Sequence, residues 1–241
     1  MPPVLFIPGN MCDERLWRPV AELVDEAGYD VRYSPRLDQP SIGAMAEAVG
    51  RGLDDPAVVV GFSMGAIVAA ELARCMPELV KALGLVAFNA SADLPERAAV
   101  RPRQQAAVRD GELETIVADE LKPNYLARRN RDDAALLQTV MDMARALGSD
   151  AFVAQSEALR LRADLRPALG ALAIPVLLAS GSEDRLCPPE WHRHWAKMIG
   201  ANARVIEVSE AGHLLPLEQP QALADALVGW LSTEARCQTV S

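Results

Sequence analysis

The pentapeptide Gly61-Phe62-Ser63-Met64-Gly65 constrains this chain more than any other stretch. It follows the apolar run Ala57-Val58-Val59-Val60 and opens the helix-like run Ala66-Ile67-Val68-Ala69-Ala70-Glu71-Leu72-Ala73. The order is strand, sharp turn, helix, with a serine at the tip. So tight a turn forces the serine into strained backbone. Glycines flank it where a side chain would collide with strand or helix. The hydroxyl is thereby lifted to a helix N-terminus, where free N–H groups and the helix dipole favour developing negative charge.

Around this turn, strand and helix patterns alternate, which predicts a parallel sheet covered on both faces. Strands are expected at Val4–Ile7, Tyr29–Ser34, Ala57–Gly61, Ala82–Phe88, Val176–Ala179 and Arg204–Val208. Helices are expected near Glu14–Ala27, Ile42–Leu53, Met64–Met76, Glu190–Ile199 and Gln221–Leu231, with a polar, frayed tail after them. Short all-apolar strands such as Val58-Val59-Val60 suit central, doubly covered positions.

The alternation breaks between Ser91 and Leu169, where helical segments are expected near Ala98–Asp110, Leu113–Leu121, Asp132–Leu147 and Ala151–Leu161. Turn signals separate them at Gly111, Lys122-Pro123-Asn124 and Gly148-Ser149. Residues 91–169 are therefore read as an insertion into a core formed by residues 1–90 and 170–241. The insertion is rich in arginine: Arg97, Arg101, Arg103, Arg109, Arg128, Arg129, Arg131, Arg145, Arg160, Arg162 and Arg166. Acids interleave with them, so a solvated helical surface accounts for the pattern. The alternative is a basic face that guides an anionic or carrier-linked substrate.

The chain has 241 residues, half of them hydrophobic, and a net charge of −9. That length fits one catalytic domain with an insertion. The acidic balance argues against a nucleic-acid partner. No apolar stretch approaches the roughly 20 residues of a membrane helix, and Met1 leads into a short strand without a basic n-region, so neither a membrane nor a secretion signal is expected. The four cysteines, Cys12, Cys75, Cys187 and Cys237, have no metal-like spacing and suit reduced thiols in a cytoplasm. No phosphate loop is found, and no metal or cofactor is expected.

The Ser63 turn matches G-x-S-x-G, and the chain resembles the α/β-hydrolase fold superfamily along nearly its whole length. That family orders its triad serine, acid, histidine. The stretch Ser180-Gly181-Ser182-Glu183-Asp184-Arg185-Leu186-Cys187-Pro188 resembles the family's acid loop, which singles out Asp184 over Glu183. Asp93, after the fourth strand, occupies a position where some hydrolases carry the acid. Gly212-His213, followed by Glu218 and Pro220, resembles the histidine loop. The other two of the three histidines, His192 and His194, do not share a helix face and are read as surface or partly packed residues. The resemblance also implies a sheet of about six parallel strands, with the inserted helices forming a cap after the fourth strand of this chain.

Among relatives, the chain is similar to small-cap serine carboxylesterases, typified by pimeloyl-acyl-carrier-protein methyl ester esterase, and to enol-lactone hydrolases. The resemblance implies a serine hydrolase that cleaves a small-molecule carboxylic ester, lactone or thioester through an acyl-enzyme. C–C bond hydrolysis of a ring-cleavage product, or ligand binding without catalysis, are the alternatives. In this reading Ser63 attacks, His213 moves the proton, and Asp184 orients His213. The oxyanion would rest on the backbone N–H of Met64 and a second N–H from the loop after the first strand. There Pro8-Gly9 stands where the family usually has His-Gly, which implies Asn10 as the donor, or failing that Met11. The expected substrate-binding residues are Met11, Leu214, Met141 and Phe152, the last two at helical spacings that also suit the core of a cap.

Overall fold

The computed structural model describes residues 2–121 and 125–238. The expected turn at Lys122-Pro123-Asn124 and the end of the tail lie outside the described residues. A six-stranded sheet runs through the molecule in the order β2-β1-β3-β4-β5-β6, every pair parallel. Its strands are β1 Val4–Ile7, β2 Val31–Tyr33, β3 Ala57–Phe62, β4 Val80–Val86, β5 Val176–Gly181 and β6 Ala203–Val208.

Side-chain alternation sends each strand's residues to two cores. Phe6, Val58 and Val60 join one cluster with Trp17 and Trp230, while Ile7, Val59 and Leu83 join another with Met45 and Leu72. Both faces are thus covered, which is why β3 is buried at every position and can be apolar throughout. The first face is covered by α1 (Glu14–Glu26) and α10 (Pro220–Gln238), the second by α2 (Ile42–Arg51), α3 (Met64–Cys75) and α8 (Pro189–Ile199). Side chains fix the helix starts: Asp13 accepts the amide of Arg15, and the hydroxyl of Ser41 accepts that of Ala44. α10 continues to Gln238, well past the end expected near Leu231. Its extension, from Ser232 to Gln238, contains no proline or glycine to stop it.

No strand forms between β4 and β5 among the described residues. The chain builds α4 (Pro95–Arg109), a short α5 (Leu113–Thr115) that continues as a π-helical turn (Ile116–Leu121), a 3-10 turn (Arg128–Asn130), α6 (Ala134–Arg160) and α7 (Arg166–Leu169). α6 replaces the two helices expected at 132–147 and 151–161. The Gly148-Ser149 signal is real, since Gly148 has φ 80° and ψ 177°, but it kinks the helix without ending it. Met141, Met143 and Phe152 on α6 pack with Val108, Ile116 and Val117 in the first cluster.

Candidate active site

The strand order places the site. After β1 the chain adds β2 on one side and then crosses to β3 on the other, so the loops leaving β1 and β3 diverge at a crevice beyond the strands' carboxyl ends. β1 and β3 are paired, Ile7 beside Gly61, which brings the loop carrying Asn10 next to the turn carrying Ser63. Ser63 sits between β3 and α3 with φ 50° and ψ −112°. The glycines of the turn are sterically required: a Cβ on Gly61 would run into the backbone of Gly65, and one on Gly65 into the carbonyls of Ile7 and Pro8.

Two further strand ends deliver the partners. Asp184 follows β5 and His213 follows β6. The Nδ1–H of His213 donates to Asp184 Oδ2 at 2.9 Å, and the Ser63 hydroxyl donates to His213 Nε2 at 3.0 Å. Asp184 and His213 are each 4 % exposed. Burial alone raises the Asp184 carboxyl. The adjacent His213, with the amides of Cys187 and Leu186 at 2.9 and 2.8 Å, outweighs burial and holds it below the usual carboxylate range. The imidazole lies between the rings of Phe62 and Tyr125, with centroids at 5.1 and 5.9 Å.

The alternative acids point elsewhere. Glu183 accepts the amide of Arg128, and Asp93 is bound by Arg101 and Arg162. His192 is fully buried, which corrects its reading as a surface or partly packed histidine. It follows the helix face of Trp195 and Ile199, at i+3 and i+7, and that spacing was the available signal. Its Nε2 accepts the amide of Phe88 at 2.9 Å, and burial lowers its ionisation to about 4. His194 is exposed.

Among the described residues, neither the Met64 nor the Asn10 amide donates to a protein group. The amide of Met11, the fallback, donates to Gln155 Oε1 at 2.8 Å. Gln155, on α6, also accepts from the Asn10 side chain at 3.1 Å and donates to the Leu37 carbonyl at 2.7 Å. This buried amide braces the loop that lacks the family's histidine. Nothing in the sequence marks it, since its partners lie more than a hundred residues away.

A second brace joins the insertion to the histidine loop. Glu218 accepts the amides of Gly212 at 2.9 Å and Ala127 at 2.7 Å and the side chain of Asn130 at 2.9 Å. The carbonyl of Tyr125 accepts the amide of His213 at 2.7 Å.

A cavity of about 270 Å³ opens on Ser63 and His213. Asn10, Met64 and Leu214 line it, together with Arg97, Arg101, Leu121 and Leu159 of the insertion. Met11, Met141 and Phe152, expected to bind substrate, are not on its wall. Met11 is buried beneath the loop, and the other two lie on the core side of α6. Cys187 Sγ falls with ligand atoms of Asp184 and His213 inside 4.8 Å. Burial pushes its thiol well above the ordinary range, and Asp184 and His213 Nδ1 satisfy each other, so this trio is a poor metal cage. No helix of the described residues is long and apolar enough to cross a membrane.

The architecture matches known proteins. Residues 4–226 fit the family model described as alpha/beta hydrolase family. The chain is 28 % identical to the biotin biosynthesis bifunctional protein BioHC of Cellvibrio japonicus, over 97 % of this chain and 48 % of that protein. It is 30 % identical to a pimeloyl-[acyl-carrier protein] methyl ester esterase of Neisseria meningitidis, over 76 % of this chain and 59 % of the relative. The chain thus spans about half to three-fifths of the length of these two relatives. A thermophilic esterase from Thermogutta terrifontis superposes with a TM-score of 0.88 at 26 % identity, over 97 % of this chain and 90 % of the other. The chain belongs to the alpha/beta hydrolase family.

Proposed function

We propose that this protein hydrolyses a carboxylic ester of a small molecule, lactones and thioesters included, with Ser63 as nucleophile. The observation that carries this reading is the hydrogen-bond chain Ser63–His213–Asp184 at the wall of a cavity. The hydroxyl already donates to Nε2, so His213 takes its proton as Ser63 Oγ attacks the carbonyl carbon. Asp184, kept ionised by His213 and its two amide donors, fixes the Nδ1–H tautomer and stabilises the imidazolium. The tetrahedral oxyanion rests on the amides of Met64 and Asn10, with the N-terminus of α3 behind them. Its collapse expels the alcohol or thiol, which takes the proton from His213. Water, deprotonated by the same histidine, then releases the acid from Ser63.

In this account residues 91–169 form a cap whose α4 and α6 complete the substrate pocket. The named activities of the Neisseria relative and the Thermogutta esterase support ester chemistry, and the former extends the substrate class to carrier-linked acyl groups. The free thiols of Cys12, Cys75 and Cys187 support a reducing, cytoplasmic setting.

The test is pre-steady-state hydrolysis of p-nitrophenyl acetate. An acyl-enzyme gives a burst of p-nitrophenol close to one equivalent per chain, abolished in Ser63→Ala. A linear trace of equal slope in both proteins would refute the reading.

A further inference from the structure

We infer that the ester this site takes carries a carboxylate remote from its scissile bond, and that Arg97 and Arg101 bind that carboxylate. The inference rests on the esterase reading and names the substrate class within it.

Arg97 and Arg101 stand one turn apart on one face of α4, and both line the cavity that holds Ser63. Arg162, from beyond α6, lines it too. One buried carboxylate serves this group: Asp93 accepts from Arg101 Nε at 2.7 Å and from Arg162 Nη1 at 2.9 Å. Arg162 is otherwise spent on the carbonyls of Ser91 at 2.9 Å and Ala92 at 3.4 Å. Arg97 forms no ion pair among the described residues, and its one hydrogen bond is a 3.5 Å contact to the Leu186 carbonyl. Asp93 itself is not on the wall; the acid that lines the cavity, Glu120, is held by Arg103 and Gln104. Three guanidinium groups therefore face the cavity against a single carboxylate of their own.

A half-buried guanidinium without a counter-charge is unfavourable, and a planar anion relieves it through paired N–H donors. Asn89 adds to this wall. Its Oδ1 accepts the amide of Ser91 at 2.9 Å, while its Nδ2 is buried without a partner among the described residues. At Arg97 and Asn89 the groups left over are donors, which suits an acceptor-only ligand. The reaction's own oxyanion is not that ligand in the proposed mechanism, which gives it the amides of Met64 and Asn10.

Two substrate pairs matched in carbon chain test this by pH-stat: monomethyl adipate against methyl hexanoate, and 4-acetoxybutanoate against butyl acetate. The first pair carries the carboxylate on the acyl side and the second on the alcohol side. At least one pair should favour the anion in kcat/KM by about tenfold or more, the usual worth of a charged hydrogen bond. The ratio should fall to about one in Arg97→Gln/Arg101→Gln, and should survive in Arg109→Gln, an exposed arginine of the same helix. Ratios near one in both wild-type pairs would overturn the inference. A phosphate on a carrier's pantetheine arm offers similar chemistry. A preference for S-acetyl-4′-phosphopantetheine over S-acetylpantetheine, with both carboxylate pairs flat, would reassign the wall to phosphate and also overturn it. Calorimetric titration of adipate needs no turnover: binding weakened tenfold or more in the double variant supports the inference, and no binding to the wild type opposes it. Failure of all four esters to turn over above the Ser63→Ala rate would sink the esterase reading, and adipate binding would still decide the carboxylate site.

Discussion

Gln155 Oε1 accepts the backbone amide of Met11 at 2.8 Å, joining the inserted helix α6 to the loop that leaves β1. Met11 holds a left-handed φ of 53°, a conformation that persists only where surroundings impose it. The brace bears on the two amides of this loop proposed for the oxyanion. It spends that of Met11 and leaves that of Asn10.

Removing the brace should therefore act on chemistry more than on binding. Gln155→Leu orphans the Met11 amide and the Leu37 carbonyl, each at about 1–3 kcal/mol, and lets the loop drift. An error of about 1 Å in positioning is worth roughly 10²-fold in rate. Steady-state assays should show kcat lower by about 10- to 100-fold with KM nearly constant. A rise in KM at constant kcat would mean that Gln155 shapes the pocket and not the oxyanion donor.

Asp184 and Asp93 should separate cleanly. Asp184→Asn leaves the fold intact but favours the wrong tautomer of His213, and kcat should fall by roughly 10⁴-fold. Asp93→Asn withdraws the counter-charge of Arg162, whose side chain is 5 % exposed. Breaking a buried pair in this way costs about 3–5 kcal/mol, so denaturant unfolding should register it first. If Asp93→Asn loses activity at unchanged stability while Asp184→Asn keeps it, the acid has been assigned to the wrong loop.

The fold was readable because its signals are local. Doubly buried strands such as Val58-Val59-Val60, and the steric demand for Gly61 and Gly65, depend on neighbours in sequence. Ser63, Asp184 and His213 each follow a strand, and a parallel sheet brings such loops to one edge, where the structure places all three. What escaped depends on depth and distance. Helical spacing marks Met141 and Phe152 as apolar-face residues, but it does not say whether that face meets the cavity or the core. Gln155 and Glu218 act through partners on other elements, so Glu218 was visible as a motif position and its link to Ala127 was not.

His192 gives the fold a pH dependence of its own. Burial keeps it neutral down to about 4, against an ordinary value of 6.5. Above 6.5 both folded and unfolded chains hold it neutral, and its contribution is complete. Between 6.5 and about 4 only the unfolded chain takes up the proton, so stability falls as pH falls, by roughly 3 kcal/mol from this residue. Urea unfolding at pH 7.5 and 4.5 should show a loss in the wild type that is smaller in His192→Gln and unchanged in His194→Gln. Equal losses in all three proteins would remove His192 from the account.

Covalent capture tests the proposed role of Ser63 as nucleophile. Wild-type protein treated with a fluorophosphonate and digested should carry one adduct, on the peptide containing Ser63, and His213→Ala should slow its formation by orders of magnitude. An adduct on another residue, or labelling of Ser63→Ala at the wild-type rate, would contradict the account.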